Sequence, residues 1–398
     1  MVDLTALAIK GWGRCFIPVT DPCGIPDVRA CFCPVAQFEN KKRRILTVIY
    51  MGGFAMKVRM GSILAGAAAL AMTAAMPVQA DEIADFYKGK QMTLVIGFSA
   101  GGMYGLNGRL MSQYIGKYIP GNPSVVVQHR TGAGGAKAAN YIFNAAPKDG
   151  SVIAELSKDV AVAKVLQPKK LKYDPGKFNY LGRMNTYAAT LMVWHGAGVK
   201  TVDDARKKEI IMANSGKASH SYIEAAVLSH YAGLKIKPVV GYRGAAGMFK
   251  AMESGEVHAR IGAYVSLKAN RPHWLEKNLV YNVIQTGLTK NSDLPNVPLM
   301  IDLMPNEESR KMAEVLSLGG PVGWGLQTPP GVPQARVAAM RKAFDMMVKD
   351  PGFLADAKKR KAPVNPATGA EVEGFIKKTL AVDPKLIAKM QKIAGFKS

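Results

Sequence analysis

From Met92 to Gln285, short apolar runs alternate with amphipathic stretches, and several of the runs end in glycine-rich turns. Nothing else narrows the fold as much. Residues 92–98 (MTLVIGF) read as a strand and residues 106–118 as a helix, which the Pro120 and Pro123 region cannot continue. A β-branched strand at 124–128, a glycine-rich turn, a helix at 137–144 and a third strand at 151–156 follow. Later strands are expected at 189–194, 210–213, 238–241, 259–261 and 280–285, with helices between them. Two helices close the pattern. One spans 334–348, just after Pro333, and the other spans 370–381, with Val372, Ile376 and Leu380 on one face. Such alternation predicts an α/β architecture with largely parallel sheets.

All four cysteines (Cys15, Cys23, Cys31, Cys33) lie in the first 33 of 398 residues. A disulfide framework or a thiolate zinc site beyond them is therefore excluded. Residues 1–55 show no sustained periodicity and are expected to be unstructured and no part of the working protein. Residues 56–80 read as a secretory signal. Lys57 and Arg59 make a basic start, 61–76 form an uncharged Ala- and Leu-rich run, and Val78-Gln79-Ala80 places small residues at a cleavage site. The run is shorter than the ~20 apolar residues a membrane span needs. Asp81, where a lipid-anchored protein would carry cysteine, argues against lipid attachment. An exported chain beginning near Asp81, with translation starting at Met56, is the expectation.

The chain has a formal charge of +24, and setting aside the nine basic and four acidic residues of 1–80 leaves +19. A field of that sign steers anions. No zinc finger or RNA-binding aromatic motif accompanies it, so a small anion or acidic partner is expected rather than nucleic acid. The six histidines (His129, His195, His220, His230, His258, His273) show no paired metal-ligand spacing. No metal or cofactor is expected.

Three glycine-rich turns each follow a strand signal: Ser99-Ala100-Gly101-Gly102, Gly132-Ala133-Gly134-Gly135 and Gly241-Tyr242-Arg243-Gly244. In open α/β sheets ligands collect at such turns, where the next helix offers free N–H groups to an anion. The second turn is a broken dinucleotide fingerprint, without the correctly spaced third glycine. Gly97-Phe98-Ser99-Ala100-Gly101 also matches the G-x-S-x-G nucleophile turn, which keeps a serine hydrolase using Ser99 as an alternative. Against it, too little exported chain precedes Ser99 to supply the strands that flank such a turn. Arg243 is the candidate for direct contact with a ligand carboxylate, because a guanidinium matches carboxylate geometry in two-pronged fashion.

At these loops the chain resembles the Bug family, the periplasmic solute receptors of tripartite tricarboxylate transporters. The resemblance is carried by Phe98-Ser99-Ala100-Gly101-Gly102 with Arg109, by Arg130-Thr131-Gly132-Ala133-Gly134-Gly135 and by Ala146-Pro147-Lys148-Asp149-Gly150. It continues in Asn214-Ser215-Gly216-Lys217-Ala218-Ser219-His220, Tyr242-Arg243-Gly244, Leu294-Pro295-Asn296-Val297-Pro298 and Thr328-Pro329-Pro330-Gly331-Val332-Pro333. It implies a two-lobed clamshell, both lobes α/β, crossed twice by the chain, with one lobe from 81–188 and 319–398 and the other from 189–318. It further implies a monomer that is not an enzyme, binds a small carboxylate and serves the membrane components of such a transporter. The carboxylate would be held by Phe98, Ser99, Ala100, Gly101, Gly102, Met103 and Tyr104, largely through backbone N–H groups. Across the cleft stand Ser215, Gly216, Ser219, Tyr242, Arg243 and Gly244, with Ser157 and Asn185 at neighbouring strand ends. One departure is Gly105, where the family usually has Asp. Its absence argues against amino-acid ligands and for a mono- or dicarboxylate, aromatic acids included.

Overall fold

The computed structural model describes residues 19–20, 26–27 and 77–396. In the first segment Val19–Thr20 pairs antiparallel with Pro26–Asp27. The rest of the stretch expected to lack structure lies outside the described residues. So does the expected export signal, apart from its last four residues, which enter the helix Pro77–Tyr87.

Along the remaining chain eleven strands form two sheets. They are β1 (Gln91–Ile96), β2 (Ser124–His129), β3 (Val152–Glu155), β4 (Asn179–Asn185), β5 (Ala189–Trp194), β6 (Ile210–Asn214), β7 (Ile236–Val240), β8 (Ala259–Ala263), β9 (Val280–Thr286), β10 (Trp324–Thr328) and β11 (Ala367–Thr368). The first sheet runs β11-β4-β10-β3-β1-β2 and the second β9-β5-β8-β6-β7. The expected α/β clamshell is the observed architecture, but its sheets are mixed rather than largely parallel. Parallel pairing joins β2, β1 and β3 in one sheet and β7, β6 and β8 in the other. The pairs made by β4, β5, β9, β10 and β11 are antiparallel. The reason lies in β4 and β5, which follow each other without an intervening helix and carry the chain straight from one sheet into the other.

Both faces of each sheet are covered, so strand residues alternate between two cores. Met92, Leu94 and Ile96 pack with Leu110, Met111, Met340 and Phe344 on one side of the first sheet. Val95 points to the other side, against Ala138, Ile142 and Ala154. In the second sheet Leu191 and Met212 pack with Leu228, Met312 and Leu316, while Met192 and Ala213 face Phe249, Met252 and Trp274.

The chain passes to the second lobe after Asn185 and returns near Leu318, ahead of β10. Beyond those two crossings, the last helix bridges the lobes. The last helix, Pro384–Ile393, buries Ile387 and Met390 in the core of the second lobe, beside Leu228 and Met312. It also packs on the first lobe's helix Val160–Leu166, where Gln391 Nε2 donates to the Leu166 carbonyl at 3.2 Å and Val162 and Leu166 join the same core.

Candidate functional site

The first wall of the interlobe cavity is the turn after β1. Gly101 and Gly102 are glycines because the second lobe approaches there. A Cβ on Gly101 would lie 2.8 Å from the Cβ of Ala246, and one on Gly102 would lie 3.2 Å from that of Ala245. Gly102 caps the helix Met103–Tyr114 without any side-chain hydrogen bond, leaving its first-turn N–H groups open. At Gly105 any side chain would overlap the Ala100 carbonyl. The family's Asp therefore could not stand at Gly105 with the turn folded this way. Arg109 Nη1 donates to the same carbonyl at 2.9 Å and pins the turn. Tyr104 stacks on Phe98 with 4.3 Å between ring centroids, and its hydroxyl accepts the Lys158 N–H at 3.0 Å. Burial pushes that phenol well above its ordinary pKa, so it stays neutral.

The second wall repeats the device. Ser219 and Gly244 cap His220–Tyr231 and Ala245–Glu253, again without side-chain capping bonds. The Ser219 hydroxyl is turned away, donating to Gly216 O at 2.6 Å. Three helix N-termini thus border one cavity, each carrying partial positive charge. The lobes touch around it. Ser99 N–H donates to the Arg243 carbonyl at 3.2 Å. Gly134, at φ 66°, comes so close that a Cβ would lie 2.7 Å from Ser219 N. The second glycine turn is therefore a contact between lobes, which only a residue without a side chain can make at that φ.

The cavity measures about 70 Å³. Asp159 is the carboxylate among its lining residues. It is fully engaged, 2.6 Å from Lys158 Nζ and 3.1 Å from His220 Nδ1 across the cleft. Burial alone would raise its pKa, but Lys158 and His220 outweigh that and hold it near 2. Behind His220, Glu224 is buried and its pKa is raised by desolvation. Arg260 also lines the cavity, 5% exposed, and neither Nε nor Nη1 finds a hydrogen-bond partner among the described residues.

Of the residues singled out from sequence, Phe98, Ser99, Gly102, Met103, Tyr104 and Ser157 line the cavity from the first lobe. Ser215, Ser219 and Gly244 line it from the second. Ala100 and Gly101 lie exposed on the outer side of the turn. Gly216 packs against Ala133 and Gly134, and Asn185 is buried in β4 facing Gly323; neither lines the cavity. Tyr242 and Arg243 stand at a separate outer mouth with Arg130 and Lys137, open to solvent, and the Tyr242 hydroxyl donates to Glu256 at 2.5 Å. Arg243 meets the site through its backbone carbonyl. Sequence reasoning passed over Arg260, Asp159, His220, Tyr187 and Trp324. A signal existed for one of them: an arginine in mid-strand, in Ala259-Arg260-Ile261-Gly262-Ala263, with glycine next on its own face.

Ser99 has no histidine within hydrogen-bonding reach. His129 Nδ1 meets the Phe98 carbonyl at 2.7 Å and His220 is turned to Asp159. The hydrolase alternative has no support in this geometry.

The chain is 28% identical over 290 residues to the UPF0065 protein in gbd 5'region of Cupriavidus necator, covering 71% of this chain and 83% of that protein. Its fold is similar to that of the periplasmic binding protein BugD, with a TM-score of 0.61, 20% identity and 78% and 99% of the two chains covered. An R. palustris protein solved with adipate gives 0.61 at 20% identity, with 77% and 98% covered. MatC of Rhodopseudomonas palustris, solved with bound malate, gives 0.59 at 18%, with 77% and 99% covered. The tripartite tricarboxylate transporter family receptor signature matches residues 117–391. That match spans well over half of the chain, which therefore belongs to the tripartite tricarboxylate transporter receptor family.

Proposed function

We propose that this chain is an exported, monomeric receptor that encloses a small organic carboxylate between its lobes and delivers it to the membrane components of a tripartite transporter. The observation that carries the reading is the convergence of three uncapped helix N-termini, at Gly102, Ser219 and Gly244, on one enclosed cavity. Backbone N–H groups and aligned peptide dipoles favour an anion at such a point. Relatives of similar fold were solved with adipate and malate, which agrees with this class of ligand. An amino acid fits poorly, because its ammonium group would need a free carboxylate. Gly105 has no room for one, and Asp159 is already held by Lys158 and His220.

Binding does its work here by closing the lobes, through contacts such as Ser99 to Arg243 and Asp159 to His220, with no chemical change in the ligand. A thermal-shift screen of mono-, di- and tricarboxylates and aromatic acids tests the reading. A true ligand at about 100 times its Kd stabilises the folded state by about 2.7 kcal/mol and raises Tm accordingly. If every acid leaves Tm unchanged, the carboxylate reading fails.

A further inference from the structure

Arg260 is left without a role by that reading. It is the second residue of β8, all five residues of which are buried. Among the described residues no carboxylate pairs with it, and its Nε and Nη1 donate to nothing. Its seat is nonetheless built. The guanidinium carbon lies 4.6 Å from the centre of the Phe249 ring, whose face favours a cation. The side chain runs along the strand over Gly262, where any Cβ would overlap Nη2. Position 262 thus has to be glycine for Arg260 to lie there. Taking a guanidinium out of water without a counter-charge is costly, and a fold does not prepare such a seat for packing alone.

Charge balance says what is missing. Lys158 and Asp159 cancel within the site. Three helix N-termini at about half a charge each, with one guanidinium, then present about 2.5 positive charges to the cavity. A monocarboxylate leaves most of that unmatched. We infer that Arg260 reads a second anionic group of the ligand, taking the far carboxylate of a short dicarboxylic acid as its counter-charge while the near one lies at the helix N-termini. The inference rests on the carboxylate reading above and adds to it the residue that separates diacids from monoacids.

Calorimetric titration of the full chain with diacids from malonate to adipate, each beside its half-amide, tests it. The half-amide keeps the length and removes one charge. The parent protein is expected to bind its best diacid at least 30-fold more tightly than the matching half-amide. Arg260→Met is expected to cut that ratio to within about 3-fold by weakening the diacid while leaving the half-amide unchanged, and Arg260→Lys to restore part of it. Without ligand, Arg260→Met should melt no lower than the parent, since it removes an unpaired buried charge. A purely structural arginine would give a lower Tm.

The inference is overturned if Arg260→Met keeps the ratio, if it weakens both ligands equally, or if the parent binds diacid and half-amide alike. A parent that binds no acid at all overturns the carboxylate reading instead.

Discussion

Two cations are buried beside the same cavity, and the chain treats them differently. The Lys158 side chain is 4% exposed, 2.6 Å from the Asp159 carboxylate and 4.6 Å above the Tyr187 ring. Arg260 is equally buried and pairs with no acid among the described residues. A cation whose counter-charge comes from its own chain belongs to the fold. One whose seat is shaped by Gly262 and Phe249, but whose donors stay free, answers to something that arrives. The sharpest way to break this distinction is Lys158→Met. It takes from the buried Asp159 carboxylate the nearer of its two partners, leaving His220, and should cost about 3 kcal/mol in urea denaturation. If Lys158→Met and Arg260→Met lower stability alike, the two cations are of one kind.

Acid probes the same pair. The Asp159 pKa, about 2 in the folded protein, lies below the ~3.9 of an unfolded chain. A lowered folded pKa contributes stability above the unfolded value, and that stability is lost as pH falls toward the folded one. Asp159 should therefore cost the protein about 2–3 kcal/mol between about pH 4 and pH 2. In Lys158→Met the loss should begin at higher pH, because one of the groups holding Asp159 down is gone. A denaturation series across pH, run on both proteins, reads the shift. Identical acid limbs would mean that Lys158 does not hold Asp159.

How much of this was legible beforehand follows from how local each signal is. The strands β1, β2 and β3 announce themselves as apolar, β-branched runs stopped by glycine or proline. By contrast β4 (NYLGRMN) and β10 (WGLQT) were not recognised, because both bury polar side chains. Arg183 and Asn185 lie inside β4 and Gln327 and Thr328 inside β10. Their partners are distant: Arg183 donates to the carbonyls of Pro321 and Asn365. The glycine turns were legible as tight turns near a ligand. What they also do, let two lobes touch at Ala245, Ala246 and Ser219, involves residues far along the chain. Asp159 and His220 meet across the cleft with sixty residues between them, and no spacing rule links them. The arginine expected to meet the ligand, Arg243, stands at the outer mouth, whereas the arginine that lines the cavity is Arg260.

Gly105→Ala sharpens the backbone side of the site. The new Cβ would overlap the Ala100 carbonyl, so the turn and the N-terminus of Met103–Tyr114 must shift. Overpacking of this kind costs about 2 kcal/mol. The displaced N–H groups should weaken monoacid and diacid together, unlike Arg260→Met, which is expected to touch only the diacid. Calorimetry on one half-amide pair separates the two patterns. Equal binding by Gly105→Ala and the parent would mean the turn has slack.

The smallest effect is expected from Arg243→Ala, and it tests the comparison from outside. Arg243 shares the outer mouth with Arg130 and Lys137, and its side chain is exposed. Its hydrogen bond to the opposite lobe, the carbonyl that accepts Ser99 N–H, survives truncation of the side chain. A rim charge acts on approach rather than on residence, and salt screens it. The association rate for a diacid should fall about 2-fold at low salt and match the parent at high salt, with the dissociation rate unchanged. Stopped-flow binding at two ionic strengths measures both. Should Arg243→Ala instead raise the dissociation rate as much as Arg260→Met does, the exposed arginine would be holding the ligand too, and burial would no longer separate the cation that binds from the cations that steer.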